Sequence, residues 1–110
     1  MKWSDFCISA VRYNQARTHI DAVRVHQHLG ESLSNGEVWS RQRVVSTIDA
    51  GYTFTTVVAD PNRYWLRGAE VNVVQVGLER FLRTDRDQWK ADNLGNLPEL
   101  APEPQALRYY

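Results

Sequence analysis

Apolar residues fall in short bursts along this sequence, spaced like the strands of a small sheet. "DFCISAVRY" (5–13) is rich in β-branched and aromatic residues, which suit a pleated, half-buried surface. Asn14-Gln15-Ala16-Arg17 then reads as a turn, and "THIDAVRVHQHL" (18–29) as a longer second strand with Ile20, Val23 and Val25 facing inward. Ile20 to Val23 is a step of three where a strand requires two, so a bulge near Ala22 is expected. Residues 30–36, "GESLSNG", read as a loop.

One element repeats at helical spacing. Val44, Val45 and Ile48 recur on one face, Ser40 stands where an N-cap accepts from free amides, and Gly51 where a left-handed terminal residue is wanted. Trp39, just before the cap, is placed to staple onto Val44. A helix of about three turns is predicted, lying across a sheet. After it, "YTFTTVV" (52–58) is a strand, Asp60-Pro61-Asn62 a turn, and residues 63–66 a short returning strand broken by Arg67-Gly68. "AEVNVVQV" (69–76) follows as a strand, and "GLER" (77–80) turns into "FLRT" (81–84). The order β-β-α-β-β-β-β predicts an α+β fold: a small twisted antiparallel sheet or half-open barrel, with one short helix on the open side.

Beyond residue 85 neither period continues. Asp92 and Asn93 are suited to holding a turn through their side chains, and Leu94 and Leu97 to anchoring on an apolar surface. These four residues predict a C-terminal strap that closes the fold, because no partner for catalysis adjoins Asp92. Burying each leucine contributes about 1.5–3 kcal/mol, and an open strand edge needs covering. Residues 1–100 therefore make one domain, and 101–110, "APEPQALRYY", a proline-containing extension.

Composition narrows the function. Thirteen basic and thirteen acidic residues cancel, which argues against a partner chosen by net charge. Cys7 is the single cysteine, no run of apolar residues is long enough to span a membrane, and the N-terminus lacks the apolar core of a signal peptide. A soluble cytoplasmic protein without membrane association is expected.

Five segments together resemble a family of small bacterial and archaeal proteins catalogued as a domain of unknown function: "ISAVRY", "WSRQRVVSTIDAG", "YTFTT", "FLRTD" and "DNLGNLP". The resemblance covers residues 1–100 and implies that they form the family's unit, with the last ten an addition peculiar to this chain. It implies no chemistry.

His26 and His28 alternate on one strand face, about 7 Å apart, with Cys7, His19 and Asp21 the only further metal ligands nearby. Zinc wants three or four protein ligands, so both histidines are read as surface groups on a solvated face. Cys7 reads as a small core residue. A metal-independent ribonuclease would use His26 or His28 as base and Arg24 or Arg83 to hold phosphate. A single-stranded nucleic-acid binder would use Tyr64, Trp65 and the arginines at 63, 67, 80, 83 and 86. No phosphate-binding glycine loop is present. The favoured expectation is a non-catalytic module, without metal or cofactor, that binds another protein or itself as an accessory subunit or occluding inhibitor. Tyr64, Trp65, Arg67, Arg83 and Tyr109 are its contact candidates, since aromatic residues and Arg dominate interface hot spots.

Overall fold

The first two bursts pair as an antiparallel hairpin, β1 (Phe6–Tyr13) and β2 (Ile20–Leu29). The structure, a computed structural model, describes residues 3–30, 32–59, 65–84, 91–95 and 97–100. Two register shifts mark the hairpin: Ile8 and Ala10 face the successive residues Val25 and Arg24, and Arg12 and Tyr13 face Ala22 and Ile20. Ser9 is thus the extra residue on β1, and Asp21, beside Ala22, the extra residue on β2. The alternation is reset at both points.

Within the expected loop 30–36, Ser32–Leu33 forms a short strand, β3, and the residues between that loop and the helix form another, β4 (Glu37–Ser40), both antiparallel to β2 on its outer edge. The cause is the length of β2: ten extended residues expose a row of amides and carbonyls that must find partners. Ser34 serves the gap between the two short strands. Its amide donates to the Gln27 carbonyl (2.9 Å) and its hydroxyl accepts from the Gln27 amide (2.8 Å).

The helix α1 (Arg41–Asp49) starts and stops as its punctuation dictates. The Ser40 hydroxyl accepts from the Arg43 amide at 3.1 Å, and Gly51 takes φ of 104° just past the end. Val44 is fully buried, with Val45 and Ile48 packed beside it. Phe6 lies against both Trp39 and Phe54, with centroids 5.1 Å apart in each pair. The Arg43 guanidinium covers the Trp39 ring at 3.8 Å.

After the helix, β5 (Phe54–Ala59) pairs with β1 in parallel, so the main sheet is mixed and does not close into a barrel. The intervening segment carries the chain back to the starting end before it re-enters the sheet, which requires the parallel sense. β6 (Trp65–Glu70) adds antiparallel to β5, and the order across the sheet is β3-β2-β1-β5-β6, with β4 also on β2.

Gly68 does not break this strand. A Cβ there would fall 2.2 Å from the Thr56 hydroxyl oxygen, which accepts from the Ala69 amide at 2.9 Å; glycine permits that close approach. The break comes at Val71, which turns into the core. β7 (Asn72–Val76) and β8 (Glu79–Arg83) then form a separate hairpin. Its two-residue loop has Gly77 first, at φ 66°, as a II′ turn requires. The fold is α+β and mostly sheet, its core formed between the main sheet, α1, Val71, Leu82 and Leu94.

Asp49 at the end of α1 pairs with Arg80 on β8, the two guanidinium nitrogens reaching both carboxylate oxygens. The hydrogen bonds from Arg80 hold the Asp49 carboxyl below its ordinary value, with direct charge attraction a lesser cause in the same direction. A depressed carboxyl stabilises the fold above its unfolded pKa and loses that contribution as pH falls through the folded value. Both groups are exposed, so the effect is small and screened. Asp49→Asn is expected to lower the midpoint of urea unfolding slightly at pH 6. Repeating the titration near pH 2, and in 1 M salt, should shrink the difference from wild type.

Candidate functional site

Asp92 sits where four elements meet. Its side chain has no solvent exposure and accepts from the Ile20 amide (2.7 Å), the Leu82 amide (2.8 Å) and Arg41 Nε (2.7 Å) and Nη2 (3.1 Å). Arg41 Nη2 also donates to the Arg80 carbonyl. The carboxylate thus joins the start of β2, β8 and the first residue of α1 to the chain's tail. Main-chain bonds fix the approach: the Asp92 amide donates to the Thr18 carbonyl (2.8 Å) and the Asn93 amide to the Leu82 carbonyl (2.8 Å).

The strap residues distribute as follows. Asn93 makes a parallel bridge with Arg83, and its side-chain oxygen accepts from the Gly95 amide at 2.9 Å. Leu94 is buried and its amide donates to the Tyr13 hydroxyl at 3.0 Å, while Leu97 is partly buried against the core. Farther on, the Val11 amide donates to the Pro98 carbonyl (3.0 Å) and the Leu100 amide to the Val11 carbonyl (2.9 Å). These bonds fill the edge of β1 beyond Ile8, where its pairing with β5 ends. Arg41 was the partner that sequence reading missed; it lies 51 positions from Asp92.

The second constellation lies on the sheet face opposite α1. His26 and His28 are not on a solvated face: they are 6% and 5% exposed. They alternate with the core residue Val25, as strand geometry requires, but that second face is itself covered. Trp3 packs edge-on against His28 (5.4 Å between centroids), and Trp65 lies tilted against His26 (5.2 Å). Both nitrogens of His26 are engaged, with Ser9 Oγ at 2.7 Å from Nε2 and the Ser34 carbonyl at 2.9 Å from Nδ1. His28 Nδ1 accepts from the Trp3 amide (3.1 Å).

Cys7, register partner of His26, is buried; that burial pushes its thiol up, more than the Ser4 hydrogen bond lowers it, so it stays protonated and unreactive. Among the described residues no group of three or more His, Cys, Asp or Glu is arranged to hold a metal ion. A cleft of about 450 Å³ opens over this face, lined by Ser9, Arg24, His26, Glu37, Val38 and Trp65.

The expected contact residues do not assemble. Trp65 is half-buried at the start of β6 and Arg67 is exposed in the same strand. Arg83 is 3% exposed, its guanidinium donating to the Ala91 carbonyl at 2.8 Å inside the fold. Its surface role in the expectation therefore gives way to an interior one. Tyr64 and Tyr109, the turn at 60–62 and the extension 101–110 lie outside the described residues. The surface that Trp65 and Arg67 do share is the outer edge of β6, next to two exposed apolar register partners, Val58 and Leu66.

The chain belongs to the DUF3892 family, described as proteins of unknown function, whose family model matches residues 7–98. All five sequence segments that carried the resemblance overlap this span, and the strap through Leu97 falls inside it. No curated protein and no solved structure matches the chain. Among the described residues no helix is long and apolar enough to cross a membrane.

Asp92→Asn should remove the counter-charge of the partly buried Arg41 guanidinium and weaken the side chain's acceptance from the Ile20 and Leu82 amides, costing about 1–3 kcal/mol. Leu94→Ala, which opens a cavity beneath the tail, should cost about 2–5 kcal/mol. Chemical denaturation of both variants checks these values. A change below 1 kcal/mol in either would show that the tail is not integral to the fold.

Proposed function

We propose that the protein is a binding module that takes an extended segment of another protein along the outer edge of β6, acting as an accessory subunit or as an inhibitor that occludes its partner. The observation that carries this reading is the unequal treatment of strand edges. The long edge of β2 is covered by β3 and β4, and the C-terminal part of β1 by residues 98–100. Among the described residues nothing pairs with the outer edge of β6, where residues 66–70 are all exposed. Open edges are normally blunted, because unpaired amides and carbonyls recruit other chains.

Strand addition draws affinity from main-chain hydrogen bonds and specificity from side chains beside the added strand. Leu66 and Val58, 53% and 43% exposed, offer an apolar contact, and β6 carries one cation and one anion, Arg67 and Glu70. A chain of zero formal net charge suits a partner selected by shape rather than by field. Single-stranded nucleic acid is the weaker reading, since Arg83 is turned inward rather than placed beside Trp65 and Arg67.

The test is selection of extended peptides from a random library, followed by hydrogen exchange on the complex. Bound peptide should slow exchange of the amides in 65–70. The double variant Val58→Lys, Leu66→Lys should bind at least about tenfold more weakly, the loss of one buried apolar contact, with an unchanged circular dichroism spectrum. Protection confined to another part of the chain would overturn the reading, as would displacement of the peptide by single-stranded RNA.

A further inference from the structure

We propose that Ser9 is an activated serine nucleophile, with His26 as its general base, in a cleft that accepts small carboxylic esters carrying a negative charge. A carbonyl oxygen can only accept, so the contact between His26 Nδ1 and the Ser34 carbonyl (2.9 Å) places the ring proton on Nδ1. Nε2 then carries the lone pair, and the Ser9 hydroxyl, 2.7 Å away, donates its proton to it. These are the relations an activated serine needs: nucleophile on base, and base held in one tautomer by a third group. Here a backbone carbonyl occupies the place that a carboxylate holds in the familiar triad.

The local fold builds this arrangement on the sheet face that the register partners Cys7 and His26 share. Ser9 is the extra residue of the β1 bulge, and bulges re-aim side chains beside active sites. Gly36 brings the 34–37 segment down onto β2. A Cβ at Gly36 would lie 3.0 Å from His26 Cε1 and 2.5 Å from Arg24 Cγ, so only glycine lets the Ser34 carbonyl approach without displacing both side chains. Trp65 closes the other side of the imidazole. Ser9 and His26 are each under a tenth exposed yet both border the 450 Å³ cleft, which limits water while leaving an entrance.

The lining specifies the ligand. Arg24 supplies a fixed positive charge, Trp65 and Val38 an apolar wall, and the Glu37 carboxylate accepts from Trp39 Nε1 at 3.2 Å. The volume suits a small molecule rather than a polymer. In the reaction, Ser9 Oγ bonds to the ester carbonyl carbon as its proton passes to His26 Nε2. Collapse breaks the bond to the leaving oxygen, which departs as an alcohol with that proton. Water then attacks the acyl-serine, again giving its proton to Nε2, and the proton returns to Ser9 Oγ as the carboxylic acid leaves. Nothing beyond ester and water is consumed.

The experiment has two arms, both on the full chain. In the first, the folded protein is treated with a fluorophosphonate probe and digested for mass spectrometry. The phosphonyl adduct, formed with loss of fluoride, is expected on Ser9, and His26→Gln should abolish it. In the second, hydrolysis of p-nitrophenyl hemisuccinate and p-nitrophenyl acetate is followed. Ser9→Ala should lower both rates by about a hundredfold or more, the low end for losing a positioned base and nucleophile. Arg24→Gln should lower the hemisuccinate rate at least about tenfold more than the acetate rate, the magnitude of one lost ionic contact. Absence of an adduct on Ser9 in folded wild-type protein would overturn the proposal even if the variants fail to fold. Hydrolysis that persists in a folded Ser9→Ala variant would overturn it equally. Val58→Lys, Leu66→Lys should retain labelling at Ser9, which separates this inference from the strand-addition reading.

Discussion

The bidentate contact between Asp92 and Arg41 is the constraint on which the remaining packing depends. A carboxylate with no exposed surface carries a desolvation cost of several kcal/mol. Charge-assisted bonds from one guanidinium and two main-chain amides offset it. Those amides, on Ile20 and Leu82, belong to strands of different sheets, and Arg41 opens the helix. Removing the tail would therefore leave the Arg41 guanidinium without its counter-charge and two amides without their acceptor where three elements converge. The pair also fixes geometry, because a buried charge is satisfied only in one register whereas leucines tolerate several. Leu94 and Leu97 add apolar burial; Asp92 decides where they land.

The same tail solves a problem created by the mixed sheet. β5 pairs with β1 only over Phe6–Ile8, and the β1 bulge at Ser9 follows at once. The exposed amide and carbonyl of Val11 then take Pro98 and Leu100 as substitutes. On the opposite side of the hairpin, β3 and β4 perform the equivalent task for β2. Edge satisfaction thus explains why these short segments settle beside β1 and β2, while the outer edge of β6 has no partner among the described residues.

Local signals were legible wherever a residue acts within a few positions of itself. Ser40 and Gly51 bounded the helix, "GLER" marked a turn although only its first two residues form the loop, and the step from Ile20 to Val23 disclosed a bulge. Long-range signals were not. Nothing in the sequence ties Arg41 to Asp92, and a basic residue at a helix start reads as solvent-facing. Gly68 looked like a breaker because its role, admitting Thr56, depends on a neighbouring strand. The parallel sense of β5 follows from where the helix leaves the chain, which periodicity does not record. His26 and His28 were assigned the correct face and the wrong environment, since Trp3 and Trp65 cover that face from distant positions. Ser9 escaped notice because a serine within a strand carries no mark of its own; its partner His26 lies on the neighbouring strand and the Ser34 carbonyl on a third segment.

Trp65 connects the two surfaces, and that shared position determines how they can influence one another. Sheet order places β5 and β1 between the β6 edge and β2, so an added strand lies far from His26 by way of the main chain. At about 4.8 Å per strand spacing, only a side chain as long as an indole bridges part of that distance, and the Trp65 ring reaches the imidazole. Leu66 and Arg67, the next residues along the edge, do not line the cleft. Occupation of the edge can alter the cleft only to the extent that it favours one placement of that indole over another, since a ligand shifts an equilibrium by its differential affinity alone. Substituting Trp65 would perturb both surfaces together and separate nothing. Leu66 and Ser9 each belong to one surface, and changes there distinguish a segment bound at the edge from chemistry in the cleft.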